Sequence, residues 1–257
     1  MSSEILNKEL LKLFNELENP PQKLYYKGNL ELLKKEKIAI IGSRRMSIYT
    51  KNCVLSLASM LKNAGICIVS GGALGVDITA SIASMPSTIG IFANGLDKIY
   101  PKTNEKTIMQ IYENALALSE YEDDYMPKHY DFLLRNRLII ALSKAIIIAQ
   151  ADLQSGSMQS ARLALKLKKP LYVLPQRLEE SKGTNLLLKE KKAELIWDFK
   201  EFVAKFGQTT EQEDEFLKFC QKGVSVDEAF AVYKEKVYEY ELSGKIAIDG
   251  LFIRVLV

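Results

Sequence analysis

The feature that most constrains the fold is an alternation of short apolar runs with longer amphipathic segments through the centre of the chain. Six runs rich in β-branched residues lie at Lys37–Ile41, Ile66–Val69, Thr88–Phe92, Leu116–Leu118, Ala145–Ala149 and Leu171–Leu174. The amphipathic segments between them lie at Tyr49–Asn63, Val76–Ser84, Asn104–Asn114, Phe132–Ser143 and Ser157–Lys168. Nearly continuous apolar strands are typical of a parallel sheet covered on both faces. The pattern therefore predicts an α/β fold, a Rossmann-like, doubly wound and mostly parallel sheet.

The pattern changes after Asp198. A polar linker at Gly207–Glu213 precedes short helical segments at Glu215–Gln221 and Val226–Leu242. The last residues form two apolar runs joined by Asp249-Gly250, which is a strong hairpin signal. We predict a Rossmann-like domain over residues 1–206, with a short N-terminal extension at 1–20, and a small winged-helix-like module over 212–257.

Composition limits the location and chemistry of the chain. No apolar run reaches the roughly 20 residues that a membrane span needs, and the acidic amphipathic start does not resemble a secretory signal. Three widely spaced cysteines, Cys53, Cys67 and Cys220, fit reduced thiols, and the single histidine His129 is too little for a histidine-based metal site. We therefore expect a cytoplasmic protein with no membrane partner and no metal.

Charge is distributed unevenly, although the net charge is only +3. Residues 150–192 are rich in Lys and Arg, whereas residues 211–241 are mainly acidic. A polyanion would bind the basic part rather than the acidic tail. The alternative, that these charges belong to ordinary solvated faces, is equally compatible with the charge pattern alone.

The loops that leave the carboxyl ends of the strands are the candidate binding elements, because ligands of doubly wound sheets bind there. The first loop contains Gly42, Ser43, Arg44 and Arg45. It offers a sharp turn, a hydroxyl and two guanidinium groups at a helix start, a combination suited to phosphate. The alternative is a surface loop with two solvated arginines.

Two further loops add to this hypothesis. Gly71, Gly72 and Gly75 follow the second strand, where backbone amides could close on a phosphate, or where the glycines could serve only a tight turn. Ser155, Gly156 and Ser157 begin a later helix, where a serine could cap the helix or bind an anion. Three helix N-termini converging on one crevice would favour an anionic ligand.

Catalytic equipment is not recognisable in the sequence. The chain has no Walker A motif, no Cys/His or Ser/His pairing, and its acidic residues near the loops lack metal-ligand spacing. We therefore expect a binding protein rather than an enzyme, with no catalytic residue and no cofactor.

An ordered series of motifs between about Pro20 and Asp198 resembles the DNA-processing protein A (DprA) family. The motifs are PQKLYYKG at Pro21–Gly28, IGSR at Ile41–Arg44, SGGALGVD at Ser70–Asp77, GLDKIYPKTN at Gly95–Asn104, SEY at Ser119–Tyr121, FLLRNRLIIALS at Phe132–Ser143, SGSMQSARLA at Ser155–Ala164, LPQR at Leu174–Arg177 and GTNLLL at Gly183–Leu188. Their combination is similar to that of an epsilonproteobacterial member.

The resemblance implies a homodimer that binds single-stranded DNA, protects incoming DNA during natural transformation and helps load the RecA recombinase. It also implies contacts by Arg44 and its basic neighbour Arg45 with the DNA backbone, by Phe132 as a base-stacking platform, and by a basic residue that maps to His129. Lysine is expected at that position, and Lys128 beside it could substitute. Arg135 and Arg137 would either start a helix or contact phosphates. The C-terminal module would be the family's winged-helix-like appendage.

A nucleotide-processing enzyme of the phosphoribohydrolase type is the alternative, because such enzymes share the order of glycine loops. They carry an acidic residue in a PGGxGTxxE motif where this chain has Ser155–Arg162. The chain lacks that acid, which such hydrolysis would need as its acid–base group.

Overall fold

The computed structural model of the chain describes residues 3–207 and 214–256. It divides into two compact units, Met1–Thr209 and Thr210–Val257. Within the described ranges, no helix combines the length and apolar character needed to cross a bilayer.

A nine-stranded sheet organises the larger unit, counted over residues 3–207. Its strands are β1 (Glu4–Ile5), β2 (Tyr25–Gly28), β3 (Lys37–Ile41), β4 (Cys67–Ser70), β5 (Thr88–Phe92), β6 (Leu116–Ser119), β7 (Ala145–Ile148), β8 (Leu171–Val173) and β9 (Glu194–Leu195). Their order across the sheet is β1-β2-β6-β5-β4-β3-β7-β8-β9. The run from β6 to β9 is parallel, and β2 and β1 add antiparallel strands at one edge.

Helices cover both faces of this sheet. They are α1 (Lys8–Leu11), α2 (Ile48–Asn63), α3 (Val76–Ser84), α4 (Glu105–Asn114), α5 (Asp131–Leu142), α6 (Gly156–Lys166), α7 (Lys182–Lys189) and α8 (Phe199–Ala204). Strand β3 shows why two layers are needed. Ile38 and Ile40 pack with α2 and α8, whereas Ala39 and Ile41 belong to the opposite core, which holds α4, α5 and α6. Each fully buried aliphatic side chain contributes roughly 1.5–3 kcal/mol to such a core.

The predicted fold class is confirmed, and several predicted bounds recur in the structure. β3, β5 and α3 occupy the predicted residues, and the other central elements differ by one to a few residues at their ends. The N-terminal segment contributes to both the sheet and the core. It supplies β1 to the sheet edge and buries Leu6, Phe14 and Leu17 in the core. Residues 3–20 therefore pack as part of the larger unit.

The smaller unit contains α9 (Glu215–Cys220), α10 (Val226–Tyr233) and α11 (Lys236–Leu242), followed by the hairpin β10 (Ile246–Asp249) and β11 (Phe252–Val255). Phe216, Ala229 and Val237 are buried in its core. The predicted helical segment Val226–Leu242 is broken at Lys234, where φ is +50°. A left-handed residue interrupts α-helical geometry. Most of the predicted linker, 208–213, lies outside the described residues.

The strand order places the site. The chain runs from β3 outward through β4, β5 and β6, and then returns to the other side of β3 to form β7, β8 and β9. Strands β3 and β7 are therefore neighbours whose following loops depart toward opposite sides. A crevice forms at such a topological switch point, at the carboxyl ends of the strands.

Candidate nucleic-acid interface

A crevice of about 420 Å³ lies at this switch point. It is bordered by the loop after β3, by the N-terminal part of α5 and by the segment that leads from β7 into α6. Nine of the predicted site residues line it: Gly42, Ser43, Arg44, His129, Phe132, Arg135, Ser155, Gly156 and Ser157. Residues from three separate parts of the sequence therefore meet at one cavity, which is the size of a small-ligand site.

The first loop is held rigidly against its neighbours. The Ser43 amide donates to the Gln150 carbonyl at 2.8 Å, and the Val76 amide donates to the Ser43 carbonyl at 3.2 Å. A Cβ on Gly42 would lie 2.7 Å from Cγ2 of Val76, so the loop depends on glycine there. The Ser43 hydroxyl donates to the Arg45 carbonyl at 2.8 Å and accepts from its amide at 3.1 Å. Ser43 shapes the turn, and Arg44 is thereby directed to the crevice.

Arg44 and Arg45 occupy different positions. Both are exposed, but Arg44 lines the crevice whereas Arg45 does not. The Arg44 guanidinium carbon lies 5.3 Å from the centroid of the Phe132 ring, which is a cation–π distance. The Tyr100 ring centroid is 5.6 Å from that of Phe132. The aromatic side chain predicted as a stacking platform is thus already in contact with an arginine and a tyrosine.

The start of α6 forms the opposite wall. Ser155 is the N-cap, and its hydroxyl accepts from the Met158 amide at 3.3 Å and donates to the Asp152 carbonyl at 2.7 Å. The ordinary capping role anticipated for Ser155 is therefore present. Gly156 and Ser157 occupy the first turn, where helix amides lack intrahelical partners and favour anions. This N-terminus faces the crevice that Arg44 lines.

The glycines of the second loop pack closely against neighbouring parts of the fold. Gly72 and Gly75 do not line the crevice, and Gly71 lines only a smaller neighbouring cavity. A Cβ on Gly75 would collide with the Ser43 carbonyl oxygen, and one on Gly72 would lie 2.7 Å from the Phe92 ring. These two glycines permit close packing of the second loop. Tight packing is one of the two roles considered for these glycines from the sequence.

A buried carboxylate explains why the Gly71 amide is not available. The Gly71 N–H donates to Oδ2 of Asp77 at 3.2 Å, and Asp77 is 6% exposed. Burial raises the pKa of Asp77 to about 6, against the opposing effects of Arg135 and of the Gly42 and Gly71 amides. The Asp77 carboxylate therefore accepts the hydrogen bond that the Gly71 amide was expected to donate to a phosphate.

Arg135 makes its hydrogen bonds within the protein. It borders the crevice but is only 4% exposed, and Nη1 donates to the Gly71 carbonyl at 2.6 Å and to the Ile91 carbonyl. Its Nε donates to the Asn136 side chain at 3.1 Å. Burial lowers the pKa of Arg135, and the Asp77 carboxylate opposes that shift. Arg135 anchors α5 to the sheet through the Gly71 and Ile91 carbonyls, a role that differs from both expected ones, a helix start and a phosphate contact.

Lys128 and His129 lie in the segment before α5, and both are exposed. His129 lines the crevice, whereas Lys128 does not. The Lys128 amide donates to Oδ2 of Asp131 at 2.7 Å. Arg137, the other arginine of the RNR motif, pairs with Glu120 at 2.7 Å, so it too has a structural partner.

The groups around the crevice are chemically suited to an anion. Within residues 3–207 and 214–256, no three or more His, Cys, Asp or Glu side chains are grouped so that they could hold an ion. The crevice combines an exposed arginine, a helix N-terminus, a histidine and an aromatic ring. These groups can bind an anion with an aromatic component without covalent chemistry.

Comparison with known proteins identifies the family. The sequence model of DNA recombination-mediator protein A matches residues 4–207. The chain belongs to this family, which is the DprA family. The DNA processing protein DprA of Streptococcus pneumoniae is 34% identical over 197 residues, covering 75% of this chain and 69% of the relative. DprA of Bacillus subtilis is 34% identical over 202 residues, covering 75% and 68%.

Solved DprA structures share the fold. DNA processing protein A from Helicobacter pylori has a TM-score of 0.77 and 50% identity, covering 80% of this chain and 97% of that one. That structure is described as showing a single-stranded DNA binding mode of the H. pylori protein. DprA from S. pneumoniae has a TM-score of 0.75 and 31% identity, covering 80% and 75%.

Sequence reasoning missed several residues that shape the site in this DprA family member. Asp131 is 1% exposed and accepts hydrogen bonds from Tyr121 at 2.9 Å and from Tyr125 at 2.8 Å, in addition to the Lys128 amide. The two tyrosine rings stack with centroids 4.2 Å apart. Tyr121 belongs to the SEY motif, which was noted without a role. The sequence signal that could have identified Asp131 is its position directly before Phe132, since acidic residues favour helix starts.

Proposed function

We propose that this chain binds single-stranded DNA in the crevice between the first loop and the start of α6. The observation that carries the proposal is the convergence of Arg44, the N-terminus of α6 and Phe132 on one cavity at the sheet's switch point. A guanidinium and free helix amides suit a phosphate, and an aromatic ring suits a base.

The nature of the ligand is supported by family membership and by the relative from H. pylori. That protein is 50% identical over a region covering 80% of this chain, and its structure is described by its binding of single-stranded DNA. A single strand also fits the chemistry, because its bases are free to contact Phe132 whereas duplex bases are stacked within the helix.

The biological role that we propose is that of a recombination mediator. In this role the protein acts in the cytoplasm as a homodimer, protects incoming single strands during natural transformation and helps load the RecA recombinase onto them. Membership of the DNA recombination-mediator protein A family supports this role. Dimerisation is tested by light scattering. Loading is tested by the rate at which RecA displaces a single-strand-binding protein with and without this chain.

The decisive binding experiment compares single-stranded and duplex oligonucleotides of one sequence at several salt concentrations. We expect tighter binding of the single strand and a linear decrease of log affinity with log salt, because phosphate contacts release counterions. Equal affinity for the two forms, or binding without salt dependence, would contradict the proposal. A thermal melt of the same sample confirms that the protein is folded.

Nucleotide hydrolysis is the competing activity, and the structure does not favour it. Asp77, an acid at the crevice, is buried against the Gly71 amide and is not placed to reach a substrate freely. Release of free base from a nucleoside monophosphate, lost in Asp152→Asn, would overturn the proposal that the crevice only binds. Asp152 is used for this test because it is an exposed carboxylate lining the crevice.

A further inference from the structure

The N-terminal part of α5 presents apolar side chains to solvent beside the crevice. Tyr130, Leu133 and Leu134 are 53%, 37% and 46% exposed. Residues spaced by three and four positions share one face of a helix. We call these three side chains the α5 ledge. Large apolar side chains grouped on the surface commonly mark a binding site.

The α5 ledge is continuous with the candidate phosphate site. Leu133 lines the crevice together with Arg44, Ser155 and Ser157. A Cβ on Gly156 would lie 3.5 Å from Cδ2 of Leu133, so the leucine reaches the first turn of α6. At the other end, Tyr130 directly follows Lys128 and His129, which are both exposed. The ledge therefore adjoins the crevice at Leu133 and follows the exposed Lys128 and His129 in sequence at Tyr130.

Phe132 does not fully provide the apolar surface that unpaired bases need. Its ring is partly buried and already contacts Arg44 and Tyr100. A strand bound at Arg44 and at the α6 N-terminus has further bases, and these must contact either water or protein. The exposed phenol of Tyr130 and the two leucines are the adjoining side chains that can cover them.

We propose that the α5 ledge is a nucleobase-binding surface, on which unpaired bases of the bound strand lie while their phosphates contact the crevice. This inference rests on the proposed function. It makes Tyr130, Leu133 and Leu134 determinants of the preference for single strands, because bases within a duplex cannot lie on the ledge. Contacts of this type tolerate any base, since each offers an apolar face.

The test uses fluorescence anisotropy with two probes, an oligothymidylate and an abasic oligonucleotide of equal length. The abasic probe keeps the phosphates and lacks the bases. The wild-type chain should bind the oligothymidylate at least about tenfold more tightly than the abasic probe. In Leu133→Ser/Leu134→Ser this preference should fall to about twofold, because affinity for the oligothymidylate falls more than affinity for the abasic probe.

A matched control carries two apolar-to-serine changes on other helices of the same unit. Ile82 in α3 and Met109 in α4 are 52% and 41% exposed and do not line the crevice. Ile82→Ser/Met109→Ser should keep the wild-type preference. If the double leucine variant does not fold, Tyr130→Ala alone makes the same comparison and should lose part of the preference.

Each remaining outcome decides between the two proposals. A preference that persists in the double leucine variant overturns the ledge. An equal loss of affinity for both probes in this variant also overturns it. If light scattering then shows that the variant is no longer a dimer, the face serves self-association. Equal affinity of the wild-type chain for both probes would contradict the ledge proposal and agree with the proposed phosphate site. A wild-type chain that binds neither probe contradicts the proposed function itself.

Discussion

Two neighbouring arginines in the first loop show how position decides what a residue can do. Arg44 lines the crevice and contacts the Phe132 ring, whereas Arg45 is exposed outside the cavity. The sequence offered no basis to distinguish them, because both follow Gly42-Ser43. The orientation of the loop, set by the Ser43 hydrogen bonds, makes the difference.

Arg44→Ala should therefore weaken single-strand binding more than Arg45→Ala. Loss of one phosphate contact should reduce the salt slope of log affinity by about 0.7, in addition to lowering affinity. Titrations of both variants at several salt concentrations measure this directly. Equal effects of the two substitutions would show that the strand contacts the loop outside the crevice.

Asp77 predicts a specific dependence of stability on pH. Its pKa rises on folding from an ordinary value of 3.8 to about 6, chiefly because it is buried. The folded state therefore holds the proton more tightly. The stabilisation from this group is present below about pH 4 and is lost as pH rises through 6.

The wild-type free energy of unfolding, minus that of Asp77→Asn, should decrease between pH 4 and pH 7, by up to about 3 kcal/mol. Chemical denaturation of both proteins across this range measures the difference. The slope matters rather than the absolute values, because the substitution also removes a charge near buried Arg135. A difference that is constant with pH would show that Asp77 titrates normally in the fold.

At the scale of elements, α5 connects the core to the site. Its buried side carries Arg135 into the sheet, and its N-terminus carries Phe132 and the segment with Lys128 and His129. Asp131 fixes that segment through Tyr121, Tyr125 and the Lys128 amide. The hydrogen bond to Asp131 raises the pKa of Tyr125 to about 12.

Asp131→Ala should release this segment and weaken single-strand binding severalfold, with a stability loss of roughly 1–3 kcal/mol. Tyr125→Phe removes one hydroxyl and should have a smaller effect. In a Lys128→Ala/His129→Ala background, the effect of Asp131→Ala on affinity should largely disappear, as expected for coupled residues. An unchanged effect in that background would restrict Asp131 to stabilising the fold.

The elements were more predictable than the contacts between them. β3, β5 and α3 could be predicted from local apolar patterns because most of their residues are buried in the core. β2 (Tyr25–Gly28) was not predicted, since it is a short strand near the sheet edge whose burial is mixed. The roles of Gly72 and Gly75 depend on Phe92 and Ser43, which are distant in sequence. The burial of Asp77 and Arg135 likewise arises only from the packed fold.

At the scale of the whole molecule, the candidate interface and the acidic C-terminal residues belong to different units. The crevice is formed within residues 1–209, and residues 211–241 carry the acidic excess. The smaller unit has its own core around Phe216. Binding and the role of the C-terminal unit can therefore be tested separately.

Truncation after residue 206 should leave single-strand affinity within a few-fold of wild type. Removing the acidic residues should strengthen binding slightly at low salt, because they repel a polyanion. Gel shifts and light scattering on the same sample measure binding and assembly. A truncated chain that is folded and dimeric but does not bind a strand would move the DNA site to the C-terminal unit.

The Arg135 anchor bears on the entropy of ligand binding. Through the carbonyls of Gly71 and Ile91, it fixes α5 relative to β4 and β5 before any ligand is present. Ordering a side chain at an interface costs roughly 0.5–1.5 kcal/mol when it occurs on association. For groups carried on α5, much of that ordering is completed when the chain folds. The protein groups on α5 are therefore already ordered before binding. The strand, rather than the protein, loses most of the conformational freedom when the complex forms.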